Sequence, residues 1–268
     1  MEVSIVVGAN GFLGSSLVNK LIDNHQEVIA VYNSNFESIN KNATIVTLKE
    51  VFKLSINPNY IYFLSGNYST SHQDLVRINE ELVLFCKTFS NSKFIYISST
   101  NVYGANEDIL NESSAFKSPR LYGLSKLSGE FIVSSMKRYS IIRMTYIYGK
   151  GISNNSFLPQ MILKAKEKKI ILFGKGERKQ DYIFIDDAVD LCIASASHEK
   201  NITVVGATGI SYSNLEVCEE IRRHISCDIE FTGVETGKSF FFNIDKVLKE
   251  LNWKPKVTFS EGIKKMLL

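Results

Sequence analysis

The 268-residue sequence predicts an α/β fold, a doubly wound parallel sheet with a smaller C-terminal lobe. Up to about residue 145, short apolar and β-branched runs alternate with longer segments of helical period, which is typical of repeated βαβ units. The composition, 44% hydrophobic and 22% charged, is that of a globular chain able to bury a large core. After Gly149 the regular alternation ends, which indicates a partly separate lobe. We therefore expect one domain over residues 1–150 and a mixed α/β substrate-binding lobe over 151–268, with segments that cross between them.

The elements of the first domain follow from apolar periodicity. Strands are predicted at residues 3–7, 28–32, 44–47, 60–64, 94–98 and 141–144, and helices at 11–24, 72–90 and 120–138. Only residues 48–59 lie between the third and fourth strands, too few for a full crossover helix, so this connection is predicted to be abbreviated. The second half is less regular, with a helix near 157–168 and strands at 170–173 and 182–185.

Charge and composition exclude several classes of function. The formal charge of +3 is small and evenly spread, so nucleic-acid binding is not expected. No stretch approaches the roughly 20 apolar residues that span a bilayer, and the first residues lack the features of an export signal, so we expect a cytoplasmic protein without membrane contact. The four cysteines have no metal-ligand spacing and no histidine has a spaced partner, so no metal site is predicted.

A glycine-rich turn joins the first strand to the first helix. Gly8 permits a tight turn, Gly11 lets backbone N–H groups approach a pyrophosphate, and Gly14 lets the helix pack closely on the strand. The pyrophosphate then meets the positive end of the helix dipole. The spacing therefore predicts a dinucleotide-binding (Rossmann) domain, whose cofactor-binding residues here are Gly8, Asn10, Gly11, Phe12, Leu13 and Gly14.

The end of the second strand bears on the choice of cofactor. A domain selective for NAD normally places Asp or Glu there to bind the ribose 2′-OH, but this chain has Tyr32. Asn33 and Ser34 follow, so no carboxylate repels a 2′-phosphate and no arginine grips one. We therefore favour NADP(H), with NAD(H) as the alternative, and expect Asn33, Ser34 and Leu64, at the end of the fourth strand, to line the cofactor site.

A serine, a tyrosine and a lysine form the candidate catalytic set. Ser99 stands at the carboxyl end of the fifth strand, where ligands bind in open α/β sheets. Tyr122 and Lys126 lie one turn apart on the same face of a helix, so the ammonium can lower the pKa of the phenol. We expect Tyr122 to exchange a proton with the substrate, and both Tyr122 and Lys126 to contact the cofactor. Ser99 is expected to hydrogen-bond the reacting oxygen.

With these motifs the chain resembles the extended short-chain dehydrogenases/reductases, in particular the NAD(P)-dependent epimerase/dehydratase family that modifies nucleotide sugars. The resemblance covers nearly the whole length. It rests on residues 8–14, 99–104, 122–126 and 143–149, on Asn79 and Glu130, and on 174–176, 181–182, 185–187, 251–255 and 261–262. It implies a nicotinamide cofactor, Ser99, Tyr122 and Lys126 as catalytic residues, and a nucleoside-diphosphate sugar held between the lobes. A homodimer through helices 72–90 and 120–138 is a further expectation from the resemblance.

The chain departs from the family pattern at four places. Tyr32 and Thr47 stand where acidic residues usually follow the second and third strands, and Gln180 replaces the arginine that commonly precedes Asp181. In the sugar 4,6-dehydratases an Asp-Glu pair follows the catalytic hydroxyl residue, whereas this chain has Thr100-Asn101, which cannot transfer the protons of dehydration. The predicted substrate-binding residues are Ser99, Thr100, Asn101, Arg143, Gln180 and Lys238; for Arg143 a structural salt bridge is an equal alternative.

These features lead to three hypotheses on function. The first is an NAD(P)H-dependent reductase of a nucleotide-linked 4-keto-6-deoxy sugar, with hydride from the nicotinamide and a proton from Tyr122. The second is a nucleotide-sugar 4-epimerase with retained NAD. The third is a non-catalytic NADP-binding regulatory module, which the intact Ser99, Tyr122 and Lys126 set argues against.

Overall fold

The computed structural model describes residues 2–66, 71–105, 109–152 and 154–268. The strands in this part of the chain are β1 (Val3–Val7), β2 (Glu27–Tyr32), β3 (Thr44–Thr47), β4 (Tyr60–Phe63), β5 (Lys93–Ser99), β6 (Ile109–Leu110), β7 (Tyr139–Met144), β8 (Tyr146–Tyr148), β9 (Lys169–Phe173), β10 (Lys179–Phe184), β11 (Ile202–Gly206), β12 (Ser211–Ser213), β13 (Asp228–Thr232) and β14 (Phe241–Phe242). The helices are α1 (Phe12–Asp23), α2 (Leu48–Val51), α3 (His72–Thr88), α4 (Leu121–Ser134), α5 (Phe157–Lys166), α6 (Ile185–Ser197), α7 (Asn214–Arg222), α8 (Asp245–Glu250) and α9 (Phe259–Leu267), with a 3₁₀ turn at Thr100–Tyr103.

A seven-stranded sheet forms the centre of the molecule, in the order β3-β2-β1-β4-β5-β7-β11. All its neighbouring strands are parallel. The predicted α/β doubly wound fold is therefore confirmed, and the six predicted strands are all in this sheet. The strand order reverses between β1 and β4, and such a switch point opens a crevice at the carboxyl ends of the strands.

Helices cover both faces of the sheet because its strands alternate their apolar side chains between two cores. On one face Val6 and Ile97 pack with Leu17 of α1 and Leu191 of α6. On the other face Phe63 packs with residues of α3 and α4 such as Phe85. The sheet is thus buried on both sides, which explains why its strands are almost wholly apolar.

The elements differ from prediction mainly at their ends. The helix predicted over 120–138 ends at Ser134, where the hydroxyls of Ser134 and Ser135 donate to the carbonyls of Phe131 and Ile132. The abbreviated connection after β3 contains only the four-residue α2, as its length indicated. The strand predicted at 182–185 begins earlier, at Lys179, and Ile185 already belongs to α6.

The chain after residue 150 contributes to both parts of the molecule. Three small sheets, β12-β10-β8, β13-β9 and β14-β6, form the C-terminal part together with α5, α7 and α9. However, α6 packs on α1, and β11 pairs with β7 as the last strand of the main sheet. The segment from Ile185 to Gly206 therefore crosses back to the first domain. Within the described ranges, no helix has the length and apolar character needed to cross a bilayer.

Candidate functional site

A groove of about 310 Å³ opens at the carboxyl ends of β1, β2 and β4, at the switch point of the sheet. Six of the predicted cofactor residues line it: Gly8, Asn10, Gly11, Asn33, Ser34 and Leu64. The structure thus brings together residues from three separate strand ends, as expected for a ligand crevice in an open α/β sheet. Phe12, Leu13 and Gly14 lie behind them in the first turn of α1 and are not part of the groove wall.

The turn from β1 to α1 requires its glycines. Gly8 has φ of +86°, a left-handed conformation that other residues adopt only with strain, and its amide bonds the carbonyl of Val31. A Cβ on Gly14 would lie 2.1 Å from the carbonyl oxygen of Gly8, so this glycine lets the helix approach the strand. Gly11 begins α1, and no side chain caps the helix there. The uncapped amides and the helix dipole therefore favour an anion at this point of the groove.

Tyr122 and Lys126 converge beside Gly66, which lines the groove. A Cβ built on Gly66 would lie 2.9 Å from Lys126 Nζ and 3.8 Å from Tyr122 Oη. The two functional groups thus face one small space, with Gly66 keeping it open. The i, i+4 spacing on α4 places both side chains on the face turned toward the sheet.

Backbone carbonyl groups hold the Lys126 ammonium in place. Nζ donates to the carbonyls of Ser65, at 3.0 Å, and Ile97, at 2.9 Å, and lies 5.2 Å from the centre of the Tyr96 ring. Lys126 is only 4% exposed, and this burial lowers its pKa to about 8, while the carboxylate of Glu130 acts in the opposite direction. At neutral pH the side chain is therefore still predominantly a cation, fixed beside the Tyr122 phenol.

Ser99 ends β5 and is 5% exposed. Its Oγ accepts hydrogen bonds from the backbone amide of Asn101, at 3.2 Å, and from Asn101 Nδ2, at 3.0 Å. With both donors pointing at Oγ, the Ser99 hydroxyl proton remains available to a substrate oxygen. Thr100, the next residue, is buried at 8% exposure, whereas Asn101 is exposed. Of the two, Asn101 is therefore the one that can contact a ligand.

The Arg143 guanidinium is engaged by protein partners, and its predicted contact with a substrate stays a prediction. Its Nε and Nη2 donate to Glu130 at 3.0 and 2.8 Å, and Nη1 donates to Tyr103 Oη and to the carbonyl of Glu112. Both side chains of the ion pair are 7% exposed. Glu130 also accepts a hydrogen bond from Ser98, which precedes Ser99. The pair therefore joins α4 to β5 and β7, which is the structural alternative considered for Arg143.

The remaining predicted substrate residues lie in the C-terminal part. Gln180, on β10, is buried, and with its amide oxygen turned toward Arg178 it accepts from that guanidinium at 3.2 and 3.3 Å. Lys238 is exposed, and its carbonyl accepts from Arg178 Nε at 3.0 Å. Both residues thus accept hydrogen bonds from Arg178, and their contact with a substrate stays a prediction.

Sequence reasoning missed several residues of the groove. Ser65, Gly66, Arg77 and Glu81 line it together with the predicted residues. Ser65 and Gly66 come two and three residues after the end of β4, so their position near a strand end was a usable signal. Arg77 and Glu81 are on α3, and only the packing of this helix over the sheet places them at the groove.

Asn79, also on α3, connects that helix directly to α4. Its Nδ2 donates to the carbonyl of Leu75 and to both the carbonyl and the Oγ of Ser125, at 3.1–3.2 Å. Ser125 precedes Lys126, so this amide helps to fix the position of the lysine.

Comparison with known proteins agrees with this geometry. Residues 4–207 match the model of the NAD dependent epimerase/dehydratase family. The chain is 23% identical to the dTDP-4-dehydro-6-deoxyglucose reductase of Escherichia coli, over 98% of this chain and 96% of that protein. Two solved structures share the fold with TM-scores of 0.88. One is the UDP-N-acetylglucosamine 4-epimerase of Methanobrevibacter ruminantium in complex with UDP-N-acetylmuramic acid, at 24% identity, covering 99% of this chain and 96% of that one. The other is the dTDP-glucose 4,6-dehydratase of Bacillus anthracis in complex with NAD, at 20% identity, covering 100% and 96%.

Proposed function

Since this chain belongs to the NAD dependent epimerase/dehydratase family, as its sequence motifs indicated, we propose that it reduces a nucleotide-linked 4-keto-6-deoxy sugar with NAD(P)H. The observation that carries this proposal is the Ser99, Tyr122 and Lys126 arrangement with an amide, not a carboxylate, next to the serine. The reductase of Escherichia coli, matched over nearly its whole length, supports the same choice.

The groove suits a nicotinamide dinucleotide. The uncapped start of α1 at Gly11 favours the pyrophosphate, and Gly66 leaves open the space beside Tyr122 and Lys126 that a nicotinamide and its ribose would take. When bound, the reduced nicotinamide supplies the hydride. We favour NADPH because Asn33 and Ser34 line the groove and carry no carboxylate that would repel a 2′-phosphate. The NAD dependence stated for the family makes NADH the alternative.

The chain's own residues would act on the carbonyl oxygen of the sugar. Ser99 donates its hydroxyl proton in a hydrogen bond to this oxygen, since its lone pairs face Asn101. Tyr122 transfers its phenolic proton to the same oxygen as negative charge develops on it. Lys126, held by two carbonyls, keeps a positive charge close to the phenol and stabilises the phenolate that remains. The nucleotide of the substrate would lie toward the C-terminal part, where Gln180, Lys238 and Arg178 gather.

The residues beside Ser99 argue against dehydration. Elimination of water needs one group that removes a proton and one that delivers a proton to the leaving hydroxyl. Thr100 is buried, and the Asn101 amide, which bonds Ser99 Oγ, has no proton to exchange near neutral pH.

The direct test is a substrate screen. The purified protein would be incubated with NADPH or NADH and with dTDP-, UDP-, GDP- or CDP-linked 4-keto-6-deoxy sugars, and oxidation of the cofactor followed at 340 nm. We expect one nucleotide series to be reduced with stoichiometric loss of reduced cofactor. Tyr122→Phe should abolish turnover and retain cofactor binding, and unchanged turnover in this variant would contradict the role of the phenol.

A 4-epimerase is the second candidate, favoured by the fold match to an epimerase complex and by the family's NAD dependence. In that reaction the sugar is oxidised and then reduced within one catalytic cycle, so the protein must retain its NAD. Extracting the purified protein and quantifying the released dinucleotide separates the two reactions. Stoichiometric NAD combined with C4 inversion of a nucleotide hexose would replace the reductase proposal.

We also infer a homodimer through α3 and α4. A largely apolar groove of about 500 Å³ runs between these helices, and it includes the exposed side chains of Val76 and Leu124. Such a surface on a water-facing helix pair is typical of a self-association site. Light scattering after size-exclusion chromatography should give twice the chain mass, and Leu124→Glu should give the monomer. A monomeric wild-type protein would refute the inference.

A further inference from the structure

We propose that the Glu81 carboxylate accepts a hydrogen bond from the exocyclic amino group of the cofactor's adenine. This inference rests on the proposed binding of a nicotinamide dinucleotide in the groove. It assigns recognition of the base to a residue of α3, whereas recognition of the phosphates belongs to the turn between β1 and α1.

Glu81 is a carboxylate in the groove wall with spare capacity to accept hydrogen bonds. Its side chain is 24% exposed, and the cation near it, Arg77, is 3.8 Å away and itself 58% exposed. Among the described residues no side chain or backbone N–H donates a hydrogen bond to this carboxylate. Partial burial raises the pKa of Glu81, with Arg77 acting in the opposite direction. A partly desolvated acceptor without a donor favours a ligand that supplies one.

The surroundings of Glu81 identify the part of the cofactor. Leu48 and Ile78 line the same groove and provide apolar surface for a flat heterocycle. Asn33 and Ser34, after β2, take the ribose position, and Gly66 with Tyr122 and Lys126 marks the nicotinamide end. The base is therefore expected at the remaining side of the groove, where residues of α3 line it together with Leu48 of α2.

Thr47 cannot supply this contact. It ends β3 and caps α2. Its backbone amide and its Oγ1 both donate to the Glu50 carboxylate at 2.7 Å, and its side chain also accepts from the backbone amide of Glu50 in the capping box. The carboxylate that is missing after β3 is thus replaced in the groove by that of Glu81, which α3 contributes.

Nicotinamide hypoxanthine dinucleotide is the probe for this contact. It differs from NADH in its base, which carries a carbonyl oxygen where adenine has the amino group. A carboxylate facing that position loses a charged hydrogen bond and meets a second acceptor. We expect the wild-type protein to bind reduced nicotinamide hypoxanthine dinucleotide about tenfold or more weakly than NADH. The same ratio is expected between the 2′-phosphate of the hypoxanthine dinucleotide and NADPH. Dissociation constants would be measured by isothermal titration calorimetry without substrate.

Two variants test whether Glu81 causes the discrimination. In Glu81→Gln the amide can donate to the hypoxanthine carbonyl as well as accept from adenine, so the ratio should fall to within about twofold. Glu80→Gln changes the neighbouring carboxylate, which points into the groove between α3 and α4, and should leave the ratio unchanged.

Each outcome is decisive. Equal wild-type binding of the two bases, or a ratio that persists in Glu81→Gln, overturns the inference and leaves the proposed function standing. An equal loss of affinity for both bases in Glu81→Gln shows that the carboxylate only holds Arg77, and also overturns it. Wild-type protein that binds none of these dinucleotides refutes the proposed function together with the inference.

Discussion

Replacing Arg143 by methionine should strongly destabilise the protein. The guanidinium makes two hydrogen bonds of 2.8 and 3.0 Å to Glu130 and two more, to Tyr103 Oη and the Glu112 carbonyl. Methionine preserves most of the apolar stem but leaves the buried Glu130 carboxylate with Ser98 as its remaining partner in the described structure. Removing one partner of a buried ion pair typically costs about 3–5 kcal/mol. For a chain of this size this corresponds to a fall in Tm of about 6–20 °C, at roughly 2–4 °C per kcal/mol.

A double-mutant cycle attributes that cost to the ion pair. Arg143→Met, Glu130→Met and the double variant would be unfolded by urea, and the midpoints compared at constant m value. Because the double variant leaves no buried charge unpaired, its destabilisation should be smaller than the sum of the two single values by at least about 2 kcal/mol.

The exposed pair formed by Arg222 and Glu219 provides the control. Arg222 Nη2 and Glu219 Oε2 are 2.6 Å apart, but the two side chains are 46% and 41% exposed. Arg222→Met should therefore lower the free energy of unfolding by no more than about 1 kcal/mol. The reasoning fails if Arg143→Met costs no more than this control, or if the cycle is additive. If Arg143→Met has unchanged stability and a raised KM for the sugar, the result supports a contact between Arg143 and the substrate instead.

Three further predictions concern the site and its support. Gly66→Ala places a Cβ 2.9 Å from Lys126 Nζ, so kcat should fall about tenfold or more with little change in Tm, and an unchanged kcat in steady-state assays would contradict the cleft geometry. Since burial lowers the pKa of Lys126 to about 8, kcat should fall up to tenfold per pH unit above pH 8. A kcat that does not change up to pH 9.5 would exclude a role for the ammonium. Burial raises the pKa of Asp181 from 3.8 to about 6, against the hydrogen bonds from Thr208, so the folded state binds a proton that the unfolded state has lost. The free energy of unfolding should therefore decrease by about 2 kcal/mol as pH rises from 3.8 to 6, a slope that urea titrations of Asp181→Asn should lack.

Much of the site follows from local sequence patterns. The glycines of the first turn, Ser99 at the end of a strand, and Tyr122 and Lys126 four residues apart are set by backbone geometry within a few residues. Such short-range constraints can be read from a sequence because the period of a strand or helix determines which face each of its residues occupies. The strands were predictable for the same reason, since a sheet buried on both faces needs uninterrupted apolar runs.

The roles of long side chains were decided by packing between elements distant in the chain. Arg143 lies on β7 in register with Ser98 of β5, yet its guanidinium turns to Glu130, 13 residues away, because both charges are buried and each requires a partner. Glu81 carries no signal in the sequence, and only the packing of α3 places it in the groove wall.

The sequence by itself determined the α/β class, the glycine turn and the candidate catalytic set, since these depend on the periodicity of single elements. Only the tertiary structure decided that β11 returns to the main sheet, that Arg143 pairs with Glu130, and that α3 supplies Glu81 to the groove at the switch point. These features depend on how the helices pack on the sheet, and that packing is determined by apolar burial and charge pairing over the whole chain.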